Sequence, residues 1–285
     1  MKVCIVGLGL IGGSFALALR RHSLAESIVG IESNPKHVEQ ALSLGIVDSV
    51  VDINQAVEES DLIVLAIPVD AIPQMAMKVL NRIKSHQTLI DMGSTKEELC
   101  EIVSQHPSRA RLVATHPMWG TEYSGPSAAT ADSFAGRNVV LCEVERSAGD
   151  AVQLVSDIYR KLGMNIMNMS AEQHDIHAAY VSHISHITSF VLSTTVLEKE
   201  REEDTIFNLA GGGFDSTVRL AKSEAKTWVP IFAQNKYNVL DVLREYIHQL
   251  QLFRKALEKD DYESIYAMIH RANDIRKVLE EKRQR

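Results

Sequence analysis

Cysteine is scarce: Cys4, Cys100 and Cys142 form an odd set with no CxxC spacing, which fits a reducing compartment rather than a disulfide-built scaffold. Cys4 and Cys142 lie in apolar runs and read as core residues. Long apolar runs are missing as well. The longest, Leu62 to Val69, falls far short of the roughly 20 residues a membrane span needs. A strand pattern already begins at residue 2, leaving no room for a signal peptide, so the chain is expected to be cytoplasmic with no membrane partner. Basic runs are equally absent. The net charge of −7 and a pI of about 5.9 argue against a nucleic-acid partner, and any anionic ligand must be met by few, specific cations. There is no internal repeat and no low-complexity tract. With 285 residues the chain has length for two ordinary domains.

What is present starts at the N-terminus. Lys2 to Ser14, KVCIVGLGLIGGS, couples an apolar strand to a glycine turn and an apolar-periodic helix. Gly7, Gly9 and Gly12 form GxGxxG: the first permits the turn, the second lets backbone amides approach phosphate, and the third permits close helix packing. A pyrophosphate there would lie at a helix N-terminus, where unpaired amides favour anions. A second strand, Ile28 to Ile31, ends in Glu32, twenty residues after Gly12. Its carboxylate can accept from ribose hydroxyls and would repel a 2′-phosphate, which favours NAD over NADP. It also fits a plain surface charge opening the next helix.

Strand and helix patterns then alternate. A helix is expected over Pro35 to Leu44 and a weak strand near Val47 to Val51. Asp61 to Ile67 is a continuous apolar run that reads as a buried parallel strand stopping at Pro68. A helix over Val69 to Ile83 and a strand at Thr88 to Asp91 follow. Ser94 or Thr95 is placed to cap a helix through Val103, and Arg111 to Thr115 is the sixth strand, ending at His116-Pro117. This grammar predicts an α/β fold with a doubly wound parallel sheet. Met118 to Ala135 reads as an ordered active-site loop. Strands at Asn138 to Cys142 and Asn165 to Met169 flank a helix over Ala148 to Leu162.

After Ser170 only helices are expected, over about Ala171 to Lys199, Pro230 to Glu258 and Asp260 to Arg283, interrupted by a glycine-rich loop, Ala210 to Phe214. The domain boundary is therefore expected near Ser170, giving a dinucleotide-binding domain over 1–169 and an all-helical domain over 170–285. Helices this long suit packing against a second subunit, so a homodimer is expected.

His116 ends a parallel strand, where ligands collect in open α/β sheets, and its imidazole can act as a general base near neutral pH. A histidine before proline is also a common loop residue. Ser94, at the neighbouring strand end, is placed either to fix the His116 tautomer or to cap a helix. In EQHDIHAAYVSHISH, regular winding puts His174, His177, His183 and His186 at about 0°, 300°, 180° and 120°, so the two pairs point to opposite sides and no metal site uses all four. Arg219 follows the triple glycine and can clamp a carboxylate through parallel bonds, or serve as a solvated helix arginine.

Several separated motifs agree with one family. They are VGLGLIGGS at Val6 to Ser14, LAIPV at Leu65 to Val69, DMGSTK at Asp91 to Lys96, THPMWGTE at Thr115 to Glu122, the four-histidine helix, and GGGF at Gly211 to Phe214 with RLAKS after it. Over nearly its whole length the chain resembles the prephenate dehydrogenases of tyrosine biosynthesis. The resemblance implies an NAD-dependent oxidoreductase that converts prephenate to 4-hydroxyphenylpyruvate without a metal, with a Rossmann-type sheet and a C-terminal helical dimerisation domain. It implies that His116 accepts the ring hydroxyl proton with Ser94 as its partner near the nicotinamide, and that His186 and Arg219 hold a substrate carboxylate or side chain. Gly212 and Trp228 would shape the pocket, and Thr121 and Glu122 would stand near its mouth. The expected cofactor contacts are Gly7, Leu8, Gly9, Leu10, Ile11, Gly12, Glu32, Pro68 and Ser94. The chain departs from the family pattern at Asp215-Ser216, usually a basic residue and aspartate, and at Ser223-Glu224-Ala225, usually Ser-Asp-Pro. Arg219 stays in register.

Three other readings compete. His186 favours prephenate over arogenate. A β-hydroxyacid type of dehydrogenase would instead use a lysine such as Lys222, Lys226 or Lys236. A nonenzymatic NAD-binding scaffold would lack a complete substrate site. A fused mutase or an added regulatory domain is not expected, because the helices are needed to complete the dehydrogenase.

Overall fold

The computed structural model describes residues 1–203 and 205–284. Its sheet has eight strands: β1 (Lys2–Val6), β2 (Ser27–Ile31), β3 (Ser49–Val50), β4 (Leu62–Leu65), β5 (Thr88–Asp91), β6 (Leu112–Pro117), β7 (Asn138–Cys142) and β8 (Asn165–Met169), in the order β3-β2-β1-β4-β5-β6-β7-β8. The central strands are apolar throughout because both faces are covered. Val3 and Ile5 of β1 point into one core with Phe15, Leu19 and Tyr159, whereas Cys4 and Val6 point into the other with Ile72, Val79 and Leu99. All three cysteines are buried and free.

The sheet is not wholly parallel. β7 runs antiparallel to β6, pairing His116 with Val140, and β8 is parallel to β7. The reason lies in the connection: residues 118–137 return to the strand end they left without a crossover helix, and such a link joins antiparallel neighbours. β1 stands between β2 and β4, so the chain reverses direction across the sheet at the end of β1, where ligands bind in open α/β sheets.

Beyond Ser170 the described residues form helices and turns. Ser170 caps Ala171–Ala178 with a reciprocal box through Gln173. The expected long helix is interrupted at once: Ala179–His183 is a π turn before regular winding resumes over Ile184–Glu203. The expected glycine loop is helical from Gly212, in Gly212–Val218. The expected helix from Pro230 begins earlier, at Ala225, and ends at Gln234, with a further helix at Lys236–Glu258.

By their contacts the residues fall into two compact units, Met1–Lys236 and Tyr237–Arg285. The second contains most of Lys236–Glu258 with Tyr262–Ala272 and Ile275–Gln284, and it exposes Leu250, Leu257, Tyr266 and Ile269. No helix among the described residues is long and apolar enough to cross a membrane.

Candidate active site

The glycine turn does in space what its spacing requires. Gly7 has φ +95° and its amide donates to the Ile31 carbonyl, 2.8 Å. A Cβ on Gly12 would overlap the Gly7 carbonyl and touch Ala66, so helix Leu10–Arg21 lies directly against the turn. Gly9 differs, because a Cβ there would meet nothing within 4 Å. The space over Gly9 is open, and the helix start beside it carries neither a side-chain cap nor an acidic residue in its first turn. Such an end suits a phosphate. Leu8 is buried under Gly30, whereas Leu10 and Ile11 are half-buried in the first turn. Glu32 lies over the turn, accepting from the amides of Leu8 (3.1 Å) and Asn34 (2.9 Å). These residues fit a dinucleotide with unphosphorylated ribose.

Along one edge of the sheet the strand ends line up as Gly7, Ala66 to Pro68, Met92 to Ser94, and His116, with Val6 level with Leu65 and Leu65 with Asp91. Neighbouring strands are about 4.8 Å apart, so His116 lies some 14 Å across the sheet from the turn. Pro68 is exposed at the rim of a cleft whose far side includes Lys226, Val229 and Pro230.

His116 is half-buried at the end of β6, and its Nδ1 lies 2.8 Å from Nε2 of His174. The expected partner, Ser94, bonds neither His116 nor any other described residue; His174 already occupies that nitrogen. Nor do Ser94 and Thr95 cap the following helix, Glu97–Ile102. Its leading amides, of Lys96 and Glu97, donate to the two oxygens of Asp175 instead, at 2.8 and 3.0 Å. Burial, then His174, Lys96 and His183, hold His116 well below the usual histidine range, leaving it neutral and able to accept a proton.

The π turn accounts for the misjudged histidine pairs. One residue absorbed in the winding removes about 100°, which brings His183 from opposite His174 to within some 80° of it. Accordingly His174 and His183 are the buried ones, His186 is half-buried and His177 faces outward. Asn235 joins them, its amide donating to the Asp175 carbonyl (2.7 Å) and to His183 Nδ1 (3.1 Å). Burial lowers His183 to about 4.

His186 stacks on Trp228, ring centroids 3.4 Å apart and planes 26° apart, and its Nδ1 donates to the Ser182 carbonyl. Burial and the nearby Arg219 lower its pKa. Arg219 ends Gly212–Val218, with the exposed Gly212 at that helix's start, and reaches Glu122 at 3.3 Å. The loop after β6 is tied on two sides: the Thr130 amide donates to Ser14 Oγ (3.0 Å), and Ser124 Oγ to Glu224 (2.6 Å). Thr121 is exposed and accepts from the Tyr123 amide.

Sequence reading missed the support beneath this site. Lys96 is fully buried, paired with Asp91 and donating to the Thr115 carbonyl, 2.9 Å. Thr115 in turn meets Tyr159, 2.8 Å. Gln234 links two strand ends, bonding Thr95 Oγ1 (2.5 Å) and the Val69 carbonyl (3.0 Å). The signal for His174 and Asp175 was their place four and five residues after a helix cap. Of the lysines a rival mechanism would use, Lys222 is exposed and paired with Asp215, 3.2 Å.

Known proteins match this arrangement over nearly the whole chain. A family model described as prephenate dehydrogenase, nucleotide-binding domain, covers residues 15–168, and one described as prephenate dehydrogenase, dimerization domain, covers 170–271. The chain belongs to the prephenate dehydrogenase family. It is 30% identical to a prephenate dehydrogenase of Bacillus subtilis over 97% of this chain and 76% of that one. It is 31% identical to a cyclohexadienyl dehydrogenase of Zymomonas mobilis, over 91% and 89%. Among solved structures, a prephenate dehydrogenase from A. aeolicus in complex with hydroxyphenyl propionate and NAD+ superposes with a TM-score of 0.89 at 29% identity, covering 97% of each chain.

Proposed function

We propose that the protein oxidises prephenate with NAD, releasing carbon dioxide and 4-hydroxyphenylpyruvate. The observation that carries this reading is His116, a neutral imidazole at a strand end in the same row as the dinucleotide turn. The family and the relatives' names supply the substrate class. Prephenate carries a secondary alcohol on a cyclohexadiene ring, with a ring carboxylate para to it. When bound, NAD supplies the hydride acceptor. The chain's own residues then have three tasks, since aromatisation drives the reaction: orient the ring, take the hydroxyl proton and hold carboxylates.

His116 takes the proton. Arg219 offers a guanidinium for the side-chain carboxylate, His186 a ring nitrogen beside it, and Trp228 a flat apolar wall. Ser94, Gly212, Thr121 and Glu122 complete the surroundings, and Gly7 to Gly12, Glu32 and Pro68 hold the dinucleotide. Arogenate, which carries an ammonium where prephenate has a keto oxygen, is a second reading favoured by the Glu122 carboxylate beside Arg219.

On this reading residues 1–169 bind the cofactor and 170–285 complete the substrate pocket and dimerise; the change of family model between 168 and 170 and the capped helix start at Ser170 support that division. Three free, buried cysteines support a reducing, cytoplasmic setting. Following NADH absorbance with prephenate and with arogenate tests the proposal. Turnover of prephenate that His116→Asn abolishes is expected. Turnover of neither substrate, or full activity in His116→Asn, would overturn it.

A further inference from the structure

Asp175 is a fixed anchor. Its carboxylate accepts from two backbone amides, Lys96 at 2.8 Å and Glu97 at 3.0 Å, and its Oδ1 also lies 2.7 Å from His174 Nδ1. An ionised carboxylate only accepts, so His174 Nδ1 carries a hydrogen and donates it. In the neutral ring Nε2 is then an acceptor. His116 Nδ1, 2.8 Å from that Nε2, must be the donor. The lone pair of His116 therefore resides on Nε2, the nitrogen turned away from His174. Starting from one carboxylate, the bonds set the tautomer of both rings.

The surroundings differ for the two rings. The charged and titratable neighbours are Asp175 on the same helix as His174, Lys96, Glu97 and Asp91 at the end of β5, and His183 on the π turn. Lys96 and His183 disfavour positive charge on His116, whereas His174 has Asp175 in direct contact. Contact with the Asp175 carboxylate gives His174 a counter-charge at 2.7 Å.

We propose that His116, His174 and Asp175 form a proton relay, in which His174 receives the proton that His116 hands on and Asp175 steadies the resulting imidazolium. The relay rests on the reading of His116 as the base and deepens it. The substrate hydroxyl gives its proton to His116 Nε2, while His116 Nδ1–H passes to His174 Nε2. NAD, when bound, would accept the carbinol hydride. The bonding pair of the ring carboxylate enters the ring as carbon dioxide leaves, making the oxygen a phenolate. That phenolate recovers the proton through the same two rings, so turnover consumes none and the relay stores one. His174 and Asp175 are positioning residues, since neither touches the reacting carbon.

The test compares His174→Gln, which still accepts from His116 but takes up no proton, with Asp175→Asn and His116→Asn, all in the full chain with prephenate and NAD across pH. In the first two, KM for both substrates is expected to stay within about twofold and kcat to fall about tenfold or more. The acid limb of kcat is expected to move down by about one pH unit, because the anion favouring the protonated pair is lost or disconnected. A merely structural role would lower active enzyme and melting temperature without moving that limb. Nitrogen-15 histidine NMR of the resting protein gives a second readout: hydrogen on Nδ1 and none on Nε2 in both His116 and His174. Hydrogen on His116 Nε2, or a wild-type kcat and acid limb in His174→Gln, refutes the relay. If His116→Asn is inactive while His174→Gln is normal, only the relay fails. Full activity in His116→Asn removes the base itself. Should Asp175→Asn not fold, because it loses the cap on helix Glu97–Ile102, His174→Gln and the NMR decide.

Discussion

Arg219 and Glu122 are joined across the mouth of the site, a guanidinium nitrogen 3.3 Å from a carboxylate oxygen, although 97 positions separate them in sequence. A substrate carboxylate held by Arg219, as proposed, must therefore displace an existing partner. Replacing Glu122 with Gln is expected to lower KM for prephenate by up to about fivefold with kcat little changed, since a partly exposed pair contributes roughly 0.2–1 kcal/mol. Replacing Arg219 with Ala is expected to raise KM about tenfold to a hundredfold, the loss of a bond to a charged group. Steady-state kinetics checks both, and an unchanged KM in Arg219→Ala would remove the clamp.

Gly9 and Gly12 should separate ligand binding from folding. A methyl at Gly9 has open space, so Gly9→Ala is expected to keep the wild-type melting temperature while weakening NAD binding about tenfold or more, because the methyl occupies the phosphate approach. At Gly12 the methyl overlaps the Gly7 carbonyl, and Gly12→Ala is expected to lose stability as well as binding. Calorimetric titration with NAD and thermal melting would distinguish the two; equal melting losses would contradict the assigned roles.

The buried Lys96 and Asp91 pair is a structural hazard when halved. Lys96→Met leaves Asp91 charged at full burial, at a cost of about 3–5 kcal/mol, or roughly 10 °C in melting temperature. Adding Asp91→Asn removes that charge and keeps an acceptor for one of the two amides, Gly93 or Thr115, that bond separate oxygens of Asp91, and is expected to recover up to about half the loss. A double variant no better than the single would show that the penalty is not electrostatic.

Acid should weaken this fold through its histidines. Burial lowers His183 from 6.5 to about 4, and lowers His116 and His186 too. Below pH 6.5 the unfolded chain binds protons that the native state excludes, so stability is complete above 6.5 and is lost as pH falls toward 4. His183 alone accounts for about 3 kcal/mol over that window. Urea midpoints measured from pH 7 to 4.5 are expected to fall steeply in the wild type and less so in His183→Gln. An identical slope would sink the assignment.

The fold was largely legible because its signals are local. Apolar runs buried on both faces announced β1, β4 and β5, and glycines with steric duties marked the turn. The direction of β7 was legible only through the missing crossover helix before it. His116 could be singled out as a strand-end histidine, but its partner could not: His174 and Asp175 lie far along the chain, and their approach depends on how a helical segment docks against the end of β5. Winding written at 100° per residue also failed where the helix itself departs from it, and nothing in AYVSH announces that departure.

The π turn at Ala179–His183 therefore acts as a rotary offset between two functional groups on one stem. Removing a single residue of 179–182 would let the stretch close into regular winding and keep Trp228's stacking partner, His186, close to its present angle, whereas regular winding at the present length would swing it about 100° off target. What the site requires is thus the angle between the two histidine clusters, and not the number of residues that separates them.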